Sequence, residues 1–280
     1  MQHCFPRTSV CLAAAVALWL GLGLLPAAAA ETATIRFAPL PMENRESIVL
    51  QFRPMVEFLQ KKLGVTIEMN FSDDYGQILE KFMTGSIDLA YLGPLPYVEL
   101  RAKYPQAEPL VHFNEANGQP AYTCALVTLA DSSLQLQGVK DRRFALTQPL
   151  STCGYLAVNG LLRQQGGGLA QNHYRYLNKH DAVALAVVRG EFDAGGVKTA
   201  IVKKYAHLGL KVVAETPSFP SFGLVANRAT LPADAIEAVR TALVQLQPTG
   251  TDQKMLAKDG DYDDVRAFKG KLEIPIHNKE

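Results

Sequence analysis

Beyond its first 30 residues the sequence has no tryptophan, only two cysteines and no long apolar run, because Trp19, Cys4 and Cys11 all fall within residues 1–30. It also lacks an excess of charge. The 280 residues less those 30 leave 250, and 28 basic side chains less Arg7 leave 27, against 27 acidic ones. A neutral chain has no basic footprint for nucleic acid or anionic lipid. Cys-x-x-Cys and His-x-x-x-Glu spacings are missing too, so no metal site is expected, and no cofactor motif is present.

What is there begins with a leader. Residues 10–25 form an apolar run of 16 residues, short for a membrane span of about 20. Pro26 and a string of alanines to Ala30 supply an A-x-A-like site. Residues 1–30 are expected to be a signal peptide cleaved after Ala30, with an uncleaved anchor as the competing reading. No cysteine follows the run to take a lipid. The exported remainder is long enough to bury a large core in one or two lobes.

Strand and helix patterns then alternate. Residues 34–40 read as a strand. Ile48, Phe52, Met55, Val56, Leu59 and Leu63 fall at helical spacing, with Pro54 expected to kink or restart that helix and Gly64 to stop it. Residues 65–71 read as a strand, and Ser72 or Asp73 as the cap of a helix to about Thr84. Residues 86–92 read as a buried strand and Pro94 as the start of a helix. A loop at 114–120 leads to a second set: strands at 121–130, 143–148, 174–178, 191–197 and 210–216, with helices after Ser151 and from His180. The segment 217–223 reads as a second crossing. Beyond it come a strand, a helix over 232–246 and two shorter helical segments. This order implies α/β lobes with largely parallel sheets flanked by helices, and ligands of such sheets sit at the strands' carboxyl ends. Two lobes joined by two crossings describe a clamshell, with lobe 1 spanning 31–118 plus 217–280 and lobe 2 spanning 119–216.

The stretches "DYGQILEKFMTGSIDLAYLGPLPYV" (74–98), "STCGYL" (151–156), "HDAVALAVVRGEFDAGGV" (180–197) and "PSFPSFGLVANRATLPADAIEAVRTAL" (217–243) occur in that order. Together they resemble the phosphonate-type periplasmic substrate-binding proteins, partners of ABC importers for phosphate, phosphite and phosphonates. The resemblance implies a two-lobed type II periplasmic-binding fold closing on an oxyanion. It places Tyr75 on the first lobe's wall and Ser151, Thr152 and Cys153 on a Ser-Thr-Ser run that holds the oxyanion. It makes His180 and Asp181 a pair facing the cleft and Asp193 an acid in the next strand, with Tyr97 a weaker match. Cys153 departs from the pattern, which has serine there, and this leaves the anion's identity open.

The chemistry of these residues can be weighed separately. Ser151-Thr152-Cys153 opens a helix after a strand, where unpaired N–H groups and the dipole favour an anion, and a plain N-cap is the simpler role. Helices opening at Asp73–Tyr75 and Gly93–Pro94 converge on the same cleft, so no arginine or lysine is needed. Core packing is the competing role for Tyr75 and Tyr97, and capping for His180-Asp181. Asp193 beside an anion is costly unless the ligand is protonated or carries an amine that pairs with Asp181 or Asp193. For the cysteines, a Cys124–Cys153 disulfide comes first, on compartment and parity. A free Cys153 as a soft ligand for arsenite and a Cys153–His180 nucleophile–base pair are the other readings. The expectation is a monomeric, non-enzymatic periplasmic binding protein for a small tetrahedral oxyanion, handing it to an ABC permease. The alternative is a sensor feeding a membrane histidine kinase, and a thiol enzyme stands further off.

Overall fold

The structure, a computed structural model, describes residues 33–246, 254–257 and 263–280. The leader read over residues 1–30 lies outside them. No helix among the described residues is long and apolar enough to cross a membrane.

The chain starts as β1 (Thr34–Ala38), α1 (Arg45–Leu63), β2 (Thr66–Met69), α2 (Tyr75–Met83), β3 (Leu89–Leu92), α3 (Pro94–Lys103) and β4 (Ala107–Asn114). Local chemistry sets these ends. The Asn44 side chain accepts the Ser47 N–H at 2.9 Å, and Gly64 ends α1 at φ 66°, a conformation that costs glycine little. The helix buries Ile48, Phe52, Met55, Val56 and Leu59. It runs unbroken through Pro54, contrary to the expected restart. Pro54 lies on the exposed face, and the Leu50 carbonyl that loses its partner there belongs to a residue 63% exposed, so water can satisfy it. α2 starts later than expected, with Asp74 as its cap.

Two short strands, β5 (Ala121–Tyr122) and β11 (Phe219–Pro220), pair antiparallel with Tyr122 opposite Phe219. Between them the chain builds β6 (Cys124–Leu129), β7 (Arg143–Leu146), α4 (Ala157–Gln164), β8 (His173–Tyr176), α5 (His180–Val188), β9 (Ala194–Lys198), α6 (Thr199–Tyr205) and β10 (Leu210–Glu215). It then returns as β12 (Gly223–Asn227), α7 (Ala233–Gln245), β13 (Lys254–Ala257) and α8 (Asp263–Lys269). Among the described residues, the part of the tail expected to form two shorter helical segments has one strand and one helix.

The first sheet has the order β13-β4-β12-β3-β1-β2 and the second β10-β6-β9-β7-β8. Both are mixed. β1 pairs parallel with β2 and β3, and β7 with β8 and β9, while β12, β13 and β6 run against their neighbours. β4 and β13 escaped the sequence reading; Pro109 inside β4 masks its pattern.

The second sheet is buried on both faces. Leu126, Phe144 and Leu146 pack with Val158, Leu161 and Leu162 of α4, while Val127, Ala145 and Val197 pack with α5, as the period of two requires. A Cβ on Gly196 would run into a Val158 methyl and the Cys153 carbonyl; glycine lets the 151–153 loop sit directly on β9. The C-terminal residues reach this sheet as well. Tyr174 of β8 exchanges backbone hydrogen bonds with Lys279 at 2.7 and 2.9 Å, and Tyr176 N–H donates to Asn278 at 2.9 Å. The end of the segment assigned above to lobe 1 thus lies on the second sheet.

Candidate functional site

The chain after β7 turns sharply, Ser151 N–H bonding the Gln148 carbonyl at 2.9 Å. A π-helical turn over Thr152–Leu156 leads into α4. Cys153 in this turn is joined to Cys124, the first residue of β6, with Cα atoms 5.1 Å apart. This is within the reach of a disulfide. It removes both thiols, so neither a soft metalloid ligand nor a Cys153–His180 nucleophile pair exists here, since each needs a free thiolate.

The loop forms one wall of a small cavity. Its polar lining is Tyr75, Tyr122, Ser151, Thr152 and His180, and its apolar lining includes Leu40, Pro96 and Phe222. The volume open to a water-sized sphere is about 10 Å³, near the least that holds one water. Among the described residues no charged side chain lines it.

Several donors converge there. The Tyr75 hydroxyl lies near Ser151 and the Tyr122 hydroxyl near Thr152, yet both are buried with no hydrogen-bond partner of proper geometry. Burial raises both phenols, so they remain protonated donors. Thr152 Oγ1 accepts the Leu95 N–H at 3.1 Å, and Gln148 Oε1 accepts the Tyr75 N–H at 2.8 Å. Residues on the second sheet thus meet the opening turns of α3 and α2. His180 is 1% exposed. Its Nδ1 receives the Lys198 backbone N–H at 3.1 Å, which leaves the proton on Nε2. Burial first, then the Lys198 charge, push its pKa down to about 3. Lys198 itself is nearly buried. Its ammonium pairs with Glu115 at 2.7 Å and lies over the Tyr122 and Phe222 rings at 5.0 and 4.7 Å. Burial lowers the Lys198 pKa, partly offset by Glu115.

A family model described as "ABC transporter, phosphonate, periplasmic substrate-binding protein" matches residues 37–269. The chain belongs to this family. Among curated relatives of this phosphonate-binding family, it is 28% identical over 183 residues to the phosphate-import protein PhnD of Mycolicibacterium smegmatis. It is 26% identical over 205 residues to the phosphonates-binding periplasmic protein of Escherichia coli K12. These alignments cover 61% and 68% of this chain but 57% and 60% of the relatives, so the match spans under two thirds of their length. Of solved structures, PhnD1 from Prochlorococcus marinus in complex with methylphosphonate superposes with a TM-score of 0.74 at 18% identity, covering 85% of this chain and 97% of that one. A binding component of an ABC phosphonate transporter from Pseudomonas aeruginosa gives 0.70 at 20% identity, covering 85% and 86%. The fold is that of type II periplasmic binding proteins.

In this phosphonate-binding family member the residues singled out from sequence divide into two groups. Tyr75, Ser151, Thr152, Cys153 and His180 meet at the cavity. Tyr97, Asp181 and Asp193 do not line it. Tyr97 is buried one residue beyond Pro96, which does. Asp181 accepts the Ala182 N–H at 2.9 Å within the first turn of α5, whose start carries no side-chain cap bond. Asp193 precedes β9 and accepts the Arg143 N–H at 2.7 Å at the start of β7. That is five residues from Lys198 at the cavity end, roughly 16 to 17 Å at about 3.3 Å per residue. Three contributors were missed: Tyr122 and Phe222 on the two crossings, and Gln148. The proline- and aromatic-rich "PSFPSFG" crossing was the available signal for Phe222.

Proposed function

We propose that the protein is a periplasmic binding protein whose two sheet-centred halves close on a small tetrahedral oxyanion, phosphate, phosphite or phosphonate, and deliver it to an ABC permease. Residues 1–30 act as its cleaved export signal. The observation that carries this reading is the pair of buried, unpartnered tyrosine hydroxyls beside Ser151, Thr152 and the Nε2–H of His180. A neutral cavity walled by donors gives an anion hydrogen bonds without locking it in an ion pair, which suits a carrier that must release its cargo. No carboxylate lines the cavity to meet an ammonium, so this reading drops the amine-bearing ligand and favours a compact anion. With both thiols in a disulfide, the protein binds without chemistry on its ligand.

A thermal-shift screen of the signal-processed protein tests this, with phosphate, phosphite, methylphosphonate, 2-aminoethylphosphonate and arsenite. A ligand at 100 times its Kd stabilises by about 2.7 kcal/mol. One of the first three is expected to raise the melting temperature, with 2-aminoethylphosphonate and arsenite weaker. No shift with any of them overturns the proposal.

A further inference from the structure

Gln148 stands between the two halves of the molecule. It follows β7, is 2% exposed, and its carbonyl starts the turn that presents Ser151. Its side-chain oxygen accepts the N–H of Tyr75, 73 residues away and the first residue of α2. The Asp74 cap of that helix is already committed to the Gln77 N–H, so Gln148 satisfies a donor that the cap leaves open. A backbone N–H is a fixed donor, and this settles the orientation of the carboxamide: oxygen toward α2, NH2 away from it. The Nε2 so placed is buried and has no partner. The neighbouring Thr147 hydroxyl and the Tyr75 hydroxyl are buried and unpartnered as well. The Gln148 carbonyl and Thr147 Oγ1 both lie within 3 Å of where a Cβ on Gly154 would sit. Gln148 is not itself among the residues lining the cavity, but its carboxamide bonds Tyr75, one wall of it, and its backbone carbonyl lies against the 151–154 loop, the other.

We propose that Gln148 is an anion-binding residue that also clasps the closed cleft: its oxygen holds α2 of the first half while its NH2 donates to an oxygen of the bound anion. This rests on the oxyanion reading above. The two ends of one side chain then couple closure to binding. The ligand satisfies the NH2 only when α2 is close enough to take the oxygen.

Two variants separate the roles. Gln148→Leu removes both ends, whereas Gln148→Glu keeps the acceptor for Tyr75 and replaces the donor with a negative oxygen. Titration calorimetry with phosphate, phosphite and methylphosphonate on the mature protein should show affinity down at least tenfold for Gln148→Leu. Gln148→Glu should lose about a hundredfold at pH 8. Its ratio to wild type should narrow as pH falls to 5, where a protonated carboxyl donates again. A purely structural glutamine predicts a lower melting temperature for Gln148→Leu with Kd unchanged, and a Gln148→Glu ratio flat with pH; either result overturns the proposal. If wild type binds none of the three anions, the oxyanion reading itself fails and takes this inference with it.

Discussion

The two ends of the second sheet differ in what they leave unsatisfied. At the carboxyl ends of β7 and β9 the cavity is nearly shut, carries no charged lining and holds polar groups without partners. At the amino ends lies a hollow with about 570 Å³ open to a water-sized sphere, edged by Arg143, Arg175, Glu191, Lys279 and Glu280. Each of those charges already has a partner. Arg175 pairs with Glu280 at 2.8 Å, Arg143 with Asp193 at 3.6 Å and Arg189 with Glu191 at 2.5 Å, while Lys279 donates to the Ala170 carbonyl. Volume points to one end and unmet hydrogen bonds to the other. Leaving a buried donor unpaired costs about 1–3 kcal/mol, and a fold tolerates several around one point when something else completes them. Exposed ion pairs contribute about 0–1 kcal/mol each and ask for no ligand.

The largest test of this contrast cuts the covalent tie at the carboxyl end. Cys124→Ala/Cys153→Ala opens a loop of 28 intervening residues, for which loop-closure entropy gives roughly 3–4 kcal/mol. Urea unfolding should show that loss, and reduction of the wild type should match it. A double variant as stable as wild type would mean that packing on β9 alone holds the loop.

Next come the orphan hydroxyls. Tyr75→Phe and Tyr122→Phe should each weaken anion binding by about 1.5–3 kcal/mol, the range for a hydrogen bond to a charged group. The unliganded proteins should melt no lower than wild type, because each loses a buried hydroxyl that had no partner. Calorimetry beside thermal melts reads both. A drop in melting temperature with affinity unchanged would make these tyrosines ordinary core residues.

His180 gives a smaller, pH-dependent effect. It is neutral in the fold, with a pKa of about 3 against an ordinary 6.5, so the unfolded chain binds the extra proton. Its contribution is complete above pH 6.5 and is lost as pH falls toward 3, at about 1.4 kcal/mol per pH unit. Between pH 7 and 5 the stability of wild type should fall more steeply than that of His180→Gln. Parallel curves would show that His180 takes up a proton in the fold.

The smallest effect belongs to the amino end. Asp193→Asn should change stability by less than about 1 kcal/mol and leave anion affinity and its pH dependence as they were. Altered affinity would bring Asp193 back to the ligand and break the contrast.

Much of this could be read from local chemistry. Helix periodicity, Gly64 as a stop, the pair of cysteines left after the leader, and the hydroxyl-rich start after β7 are all signals within a few residues. They led to α1, the disulfide and Ser151, Thr152 and Cys153 at the cavity, while Tyr75 and His180 came from the resemblance. Asp193 is a different case. The resemblance, not a local signal, set Asp193 beside the anion, and the structure places it just before β9 (Ala194–Lys198), bonded to Arg143 at the start of β7. Pairing across the chain was also out of reach: β13 joins β4 only through the sheet, and nothing near Lys279 announces that it will pair with Tyr174.

The sequence by itself determined most of the strands and helices, β4 and β13 excepted, and a helix start rich in donors, because periodicity and caps act over one or two turns. Only the tertiary structure decided which donors stay unmet. Tyr75, Tyr122 and Gln148, whose donors are unmet, come from separate parts of the chain, and burial with or without a partner is a property of the assembled fold. Tyr75 and Tyr122 end up buried without a partner where the 151–153 loop meets the starts of α2 and α3, and it is on that placement that the proposed anion site rests.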